Sequence, residues 1–285
     1  MKPAAGSAHP AMPRPDASPL GMLRSLVANR RLILQLARRD VLGRYRGSFL
    51  GLAWSLVTPL LMLAVYTFVF SVVFTSRWNG AAADGGRMGF AVILFAGLLV
   101  FNLFAEGFNR APGLILANAN YVKRVVFPLE VLPVVALLAA LFHALVALLA
   151  WAALAVFVLH GLPLTALMFP LVLAPLLMGT LGAMWMLASL GVYARDIGQV
   201  TTIVVTMLMF LSAIFYPLSS VPEPFRGLMA ANPMSFIVES MRAVLIWGHA
   251  PDWSGLALCW LGGFALASLG WWWFQRTREG FADVL

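Results

Sequence analysis

Charge-free stretches alternate with short polar ones along this chain, and their lengths predict its elements. Phe49 to Phe74 runs 26 residues without a charge, where about 20 suffice to cross a hydrocarbon core of roughly 30 Å. This predicts a first span over 49–74, with Pro59 as a kink tolerated by packing. A polar loop from Arg77 to Arg87, containing Asp84, precedes a second span over 89–109. Residues 131–194 hold no Asp, Glu, Lys or Arg over 64 positions, too long for one helix and right for two. His160-Gly161-Leu162-Pro163 breaks that run as a tight turn, predicting a hairpin of spans over 131–159 and 162–193. Arg195 and Asp196 end it. Spans over 197–216 and 253–274 bring the number to six. The last closes on Trp271, Trp272 and Trp273, residues of the kind that sit at headgroup level.

Three segments follow other patterns. Residues 1–21 are rich in Pro, Ala, Ser and Gly, which predicts a disordered tail. Over 22–46, apolar residues such as Leu26, Ile33, Ala37 and Val41 recur at helical spacing. Arg24, Arg30, Arg31, Arg38, Arg39, Arg44 and Arg46 lie between them. A helix with an apolar stripe and an arginine-rich face lies in the membrane interface, where its cations suit anionic headgroups. Residues 217–252 are broken by Pro217, Pro222, Pro224 and Pro233 yet stay apolar. Short helices dipping into the interface fit that text best.

Composition agrees. The chain is 62% hydrophobic and 11% charged, against roughly 45–50% and about 25% in soluble domains. The net charge of +8 is a topology signal and does not point to nucleic acid. Lys and Arg number nine before residue 48, three over 110–130, one at 195 and two at 276–278, against four in the intervening segments. The positive-inside rule then places both termini in the cytoplasm. The first residues carry no apolar run of a signal peptide, so the first span is expected to act as its own insertion signal. A lone cysteine, Cys259, makes no internal disulfide and no metal site.

Chemistry for energy coupling is missing. A P-loop needs a lysine after glycine, and neither Lys2 nor Lys123 follows one. Uphill work would draw on an ion gradient or a separate subunit. Polar groups within spans are functional suspects. Asn102, Glu106 and Asn109 share one face of the second span. They line a polar conduit, or they hold helices together, or Glu106 pairs with Arg110 one turn on. His143, mid-span, reads as a buried histidine bonded to a neighbouring helix. Tyr66, Phe70 and Phe74 repeat every four residues on the first span, and Phe101, Phe104 and Phe108 do much the same on the second. Such faces stack on sugar rings or pack against lipid and helices. Glu223, Arg226, Glu239, Arg242 and Asp252 are the candidates for sugar-phosphate chemistry over 217–252. They are scattered, which disfavours a membrane glycosyltransferase. A secondary carrier is disfavoured by the lack of an inverted repeat with paired broken helices.

Residues 38–59 run from Arg38-Arg39-Asp40 through Arg44-Tyr45-Arg46 and Ser48, Leu50 and Gly51 to Trp54 and Pro59. This resembles the signature of ABC-2-type export permeases, and most closely their polysaccharide branch, the O-antigen, capsule and teichoic-acid exporters. Asn120-Tyr121-Val122-Lys123-Arg124, Tyr193-Ala194-Arg195-Asp196, Tyr216-Pro217 and Asn232-Pro233 resemble further landmarks in the same order. The resemblance covers about residues 24–285.

The resemblance implies an all-α membrane protein with six transmembrane helices, an N-terminal amphipathic interface helix, and periplasmic re-entrant helices between spans five and six. It implies the permease subunit of an exporter, not an enzyme. Such a subunit works as a homodimer with two copies of a separate ATPase subunit, which holds ATP and Mg; this chain needs no cofactor itself. The cargo would be a lipid-linked polysaccharide, most readily O-antigen, crossing a bacterial inner membrane; a drug or a lipid is the other cargo weighed. Arg38, Arg39, Asp40, Arg44, Tyr45 and Arg46 would face the ATPase. So would Asn120, Tyr121, Lys123 and Arg124, the last two also serving as plain positive-inside anchors. Tyr66, Phe70, Phe74, Phe101, Asn102, Phe104, Glu106, Phe108 and Asn109 would line the conduit.

Overall fold

A computed structural model describes residues 16–69, 86–122 and 127–285, and among them the secondary structure is helical with no strand. Phe70, Phe74, Lys123 and Arg124 lie outside the described residues. Four segments are long and apolar enough to cross a membrane: Arg87–Gly113, Val131–Leu159, Leu164–Tyr193 and Trp253–Val284.

The N-terminal arm begins with α1 (Pro19–Ala28), whose start overlaps the expected tail. The Ser18 hydroxyl accepts from the Gly21 N–H at 3.0 Å, and Pro19 suits the first helical turn. The single interface helix expected over 22–46 is two helices. Asn29 ends α1, its side-chain amide donating to the Ser25 carbonyl at 2.9 Å, and α2 (Arg30–Arg44) follows. Along α2, Ile33, Ala37 and Val41 are buried at four-residue spacing. Ile33 and Ala37 pack with Val131 and Val135, while the seven arginines of 24–46 stay exposed.

After α3 (Trp54–Thr67) comes the central helix, α4 (Gly86–Arg110). Val92, Ile93, Leu94, Ala96 and Val100 have no exposed surface, because α3 and the helices at Val131–Leu159, Phe169–Tyr193, Ile197–Leu211 and Pro233–Arg242 all pack around them. A short helix, α5 (Ala119–Val122), leads towards α6 (Val131–Leu159). His160 adopts a left-handed conformation (φ 59°) that ends α6, and α7 (Phe169–Tyr193) returns, as the hairpin reading expects.

α8 (Ile197–Leu211) stops five residues short of the expected 216. Residues 213–215 instead turn into the interior and are buried. Their carbonyls are claimed from elsewhere. Arg242 donates to Ala213 O at 2.8 Å, to Ile214 O at 2.6 Å and to Ile93 O at 3.2 Å. Asn232 donates to Leu211 O at 3.3 Å and to the Ser212 hydroxyl at 3.0 Å. The same Asn232 caps the next helix by accepting from Met234 N–H. The proline-broken stretch thus forms α9 (Glu223–Ala230), α10 (Pro233–Arg242) and a π-helical turn over Ala243–Trp247. α10 is buried against α4 and α7.

The chain ends with α11 (Trp253–Thr277) and α12 (Phe281–Val284). α7 and α11 pack backbone to backbone. A Cβ at Gly270 would stand 2.1 Å from Gly182 O, one at Gly182 2.3 Å from Leu266 O, and one at Gly263 2.6 Å from Pro175 O. Small residues spaced by seven let two helices approach this closely in a bilayer. Outward, Leu149, Phe157, Ile203, Met207, Leu258 and Leu261 expose large apolar side chains, a surface suited to lipid or to another apolar protein face.

Candidate functional site

The polar residues of α4 lie on a cavity of about 520 Å³ bounded by the end of α2, α3, α4 and α6. Asn102, Glu106, Asn109 and Arg110 line it from α4, His143 from α6, and Trp54, Ser55, Thr58 and Pro59 from α3. Arg44 and Tyr45 line it from the far end of α2.

Glu106 does not pair with Arg110. It is ion-paired with Arg44, and His143 Nδ1 lies 3.0 Å from both of its oxygens. Because a carboxylate only accepts, Nδ1 carries the hydrogen in that contact. Arg44 also has only donors, so its 3.2 Å approach to His143 Nδ1 is proximity, and its bond is to Glu106. The other ring nitrogen, Nε2, stands 3.0 Å from the Tyr45 hydroxyl. In the neutral Nδ1–H tautomer Tyr45 donates to it, and both ring nitrogens of His143 and both oxygens of Glu106 are matched. Burial pushes the Tyr45 phenol above its ordinary 10.0, which keeps it a donor. Arg110 turns the other way and holds Asp40 through two contacts of 2.9 and 3.0 Å.

These contacts join residues that the sequence separates. Asp40, Arg44 and Tyr45, expected to face an ATPase, reach α4 and α6. Arg38, Arg39 and Arg46 remain exposed, as does Asn120. Tyr121 stacks on Phe127 with centroids 4.3 Å apart. A second cavity, of about 420 Å³, lies between α2 and the segment after α4, with Arg39, Asp40, Arg110, Asn118 and Tyr121 on its wall.

The aromatic residues divide differently. Phe101 is 2% exposed and belongs to the core. Phe104 and Phe108, 5.0 Å apart by centroid, line a third and larger cavity of about 740 Å³. It is almost wholly apolar and is walled by α7, α10 and α11 residues including Pro175, Phe236 and Cys259. Tyr66 packs edge-on against Phe215 at 5.4 Å.

Two structural anchors escape sequence reading. Arg242 is fully buried, with Glu239 at 2.7 Å and backbone carbonyls around it, so it is engaged as a structural pin and is withdrawn as a sugar-phosphate candidate. Glu130, also buried, accepts from Ser25 and from Arg278 at 3.0 and 3.1 Å, tying α1 and the C-terminal end of α11 to the start of α6. A charge at the edge of a 64-residue neutral run is the one signal that marked Glu130. Among the described residues, no three His, Cys, Asp or Glu side chains are grouped to hold a metal ion.

A family profile described as "ABC-2 type transporter" matches residues 31–246. The chain is 28% identical over 274 residues to the "O-antigen export system permease protein RfbA" of Myxococcus xanthus, covering 93% of this chain and 99% of the relative. It is 24% identical over 258 residues to the Klebsiella pneumoniae protein of the same name, covering 89% and 95%. It is 27% identical over 238 residues to the "Polysialic acid transport protein KpsM" of Escherichia coli, covering 81% and 86%. With its long apolar helices, the chain is membrane-embedded.

Proposed function

This chain belongs to the ABC-2 type transporter family, and we propose that it is the permease subunit of an exporter that moves a lipid-linked polysaccharide, most readily O-antigen, out of the cytoplasm. The observation that carries this reading is end-to-end similarity to an O-antigen permease, over 93% of this chain and 99% of that one. The polysialic acid transporter is matched over less of both chains, which makes that cargo the second choice.

In this reading the protein sits in a bacterial inner membrane with both termini in the cytoplasm, where most of its Lys and Arg fall. It crosses six times: the four long apolar segments are joined by the α3 and α8 regions. α9 and α10 re-enter from the periplasmic side. Two copies of the chain assemble with two copies of a separate ATPase subunit, which supplies ATP and Mg. Asn102, Glu106 and Asn109 border the path of the polymer. The exposed Arg38, Arg39, Arg46 and Asn120 meet the ATPase.

The test is a strain deleted for this chain, complemented with the wild-type protein and with its candidate ATPase tagged for co-purification. The expected outcome is a stable complex and loss of surface polymer on deletion, with lipid-linked polymer trapped inside. A normal surface and no ATPase partner overturn the reading. Chemical typing of the trapped polymer separates O-antigen from polysialic acid and from a lipid or drug cargo.

A further inference from the structure

Asp40 and Arg44 are one turn apart on α2, and Glu106 and Arg110 one turn apart on α4. The two couples meet in antiparallel order, Asp40 with Arg110 and Arg44 with Glu106. This arrangement tolerates one register only. Sliding α2 by a turn in one direction sets Asp40 against Glu106; sliding it in the other sets Arg44 against Arg110. Each slip replaces attraction with like-charge repulsion, a device that fixes register. His143 and Tyr45 extend the contact to α6, on which α2 already rests through Ile33 and Ala37.

From this geometry we propose that the crossed ion pairs form a register lock that makes α2, α4 and α6 move as one body, so that motion imposed on the cytoplasmic arm reaches the wall of the polar cavity. The inference rests on the export reading above. Stability alone does not account for the lock: the Asp40, Arg110 and Arg44 side chains are a third to a half exposed, and exposed pairs add little to folding. What they supply is a defined relative position. Arg110 also lines both the 520 Å³ cavity and the smaller one beside α5, so the lock stands between the arm and the cavity whose shape it would set. Asp40, Arg44, Glu106 and Arg110 are in this role positioning residues.

The experiment uses the full complex with its ATPase, in cells and after purification. Arg110→Asp, Asp40→Arg and the exchanged pair Asp40→Arg with Arg110→Asp are compared with wild type. Export per ATP hydrolysed is the readout, because a merely structural defect lowers complex yield, export and hydrolysis together and leaves that ratio alone. Each single reversal is expected to lower the ratio about tenfold, and the exchange to restore it to within about threefold. Single reversals with a wild-type ratio overturn the lock, as does an exchange that assembles but does not restore it. If the wild-type chain itself fails to restore surface polymer to the deletion strain, the export reading falls and the lock with it. That result is distinct from a lock failure, in which wild type works.

Discussion

The α7–α11 seam and the α2–α4 crossing are both built from residues at regular helical spacing, yet they hold by opposite physics. At the seam, glycines bring backbone against backbone, and the next Cβ would overlap a carbonyl. The contact is short-ranged and indifferent to charge. At the crossing, long side chains meet at their tips around a cavity, with partial exposure and four charges in alternation. The first arrangement makes a rigid body. The second fixes the register of α2 on α4 by the order of its charges, and adds little to folding stability. A transporter needs both, and this chain keeps them on different helices.

The largest effect is expected at the seam. Gly270→Leu forces a side chain into Gly182 O and should destabilise by about 3 kcal/mol or more, seen as loss of monodisperse protein in detergent. Next comes Arg242→Met, which strands Glu239 and the Ala213 and Ile214 carbonyls and should cost about 3 kcal/mol, read as a lowered Tm. A Tm equal to wild type would show that Arg242 is not a structural pin. Asp40→Asn at the crossing, where the Asp40–Arg110 pair is about a third exposed, should change stability by less than about 1 kcal/mol while reducing export, a separation that thermal melting and surface-polymer assays measure together.

The smallest effect belongs to the start of α11, where Asp252 accepts from the Ser254 hydroxyl at 2.7 Å and from backbone N–H groups. The Ser254 hydroxyl first, then the Gly255 N–H, hold its carboxyl below the ordinary 3.8. A carboxyl lowered by folding stabilises above its unfolded value, and the gain disappears as pH falls through the folded one. Asp252→Ala should therefore lower Tm slightly at neutral pH, with the gap closing once pH drops below 3.8. Asp252→Asn, which keeps the cap, should lie nearer to wild type at neutral pH. A gap for alanine that persists in acid would show that the charge contributes nothing.

Much of this architecture was legible because apolar length and punctuation act locally. The α6–α7 hairpin follows from a charge-free run broken at His160-Gly161: α6 keeps the bounds read for it, and α7 ends at Tyr193 as read but begins at Phe169, seven residues after 162. α8 was not legible to its end. What stops it at Leu211 is a guanidinium 31 positions after it in sequence, at Arg242, together with the amide of Asn232. The kink at Asn29 was missed for a related reason: an asparagine bonding back to Ser25 O competes with the helix ladder, and periodicity is blind to it. The candidate site was half legible. Spacing put Asn102, Glu106 and Asn109 on one face of α4, but the one partner that spacing offered Glu106, among the alternatives left open, was Arg110, its nearest cation in sequence.

By itself, the amino-acid sequence determined that this is a membrane protein, where its long apolar helices run, and which family its arginine-rich arm resembles. Those properties depend on composition and on intervals of a few residues. Only the tertiary structure decided which charge meets which, because Asp40 with Arg110 and Arg44 with Glu106 are separated by 70 and 62 positions. Charges far nearer in sequence compete for them, with Arg44 four positions from Asp40 and Arg110 four from Glu106. The choice among them is made when α2 lies down on α6 and brings its last turn beside α4, and no local rule carries that information.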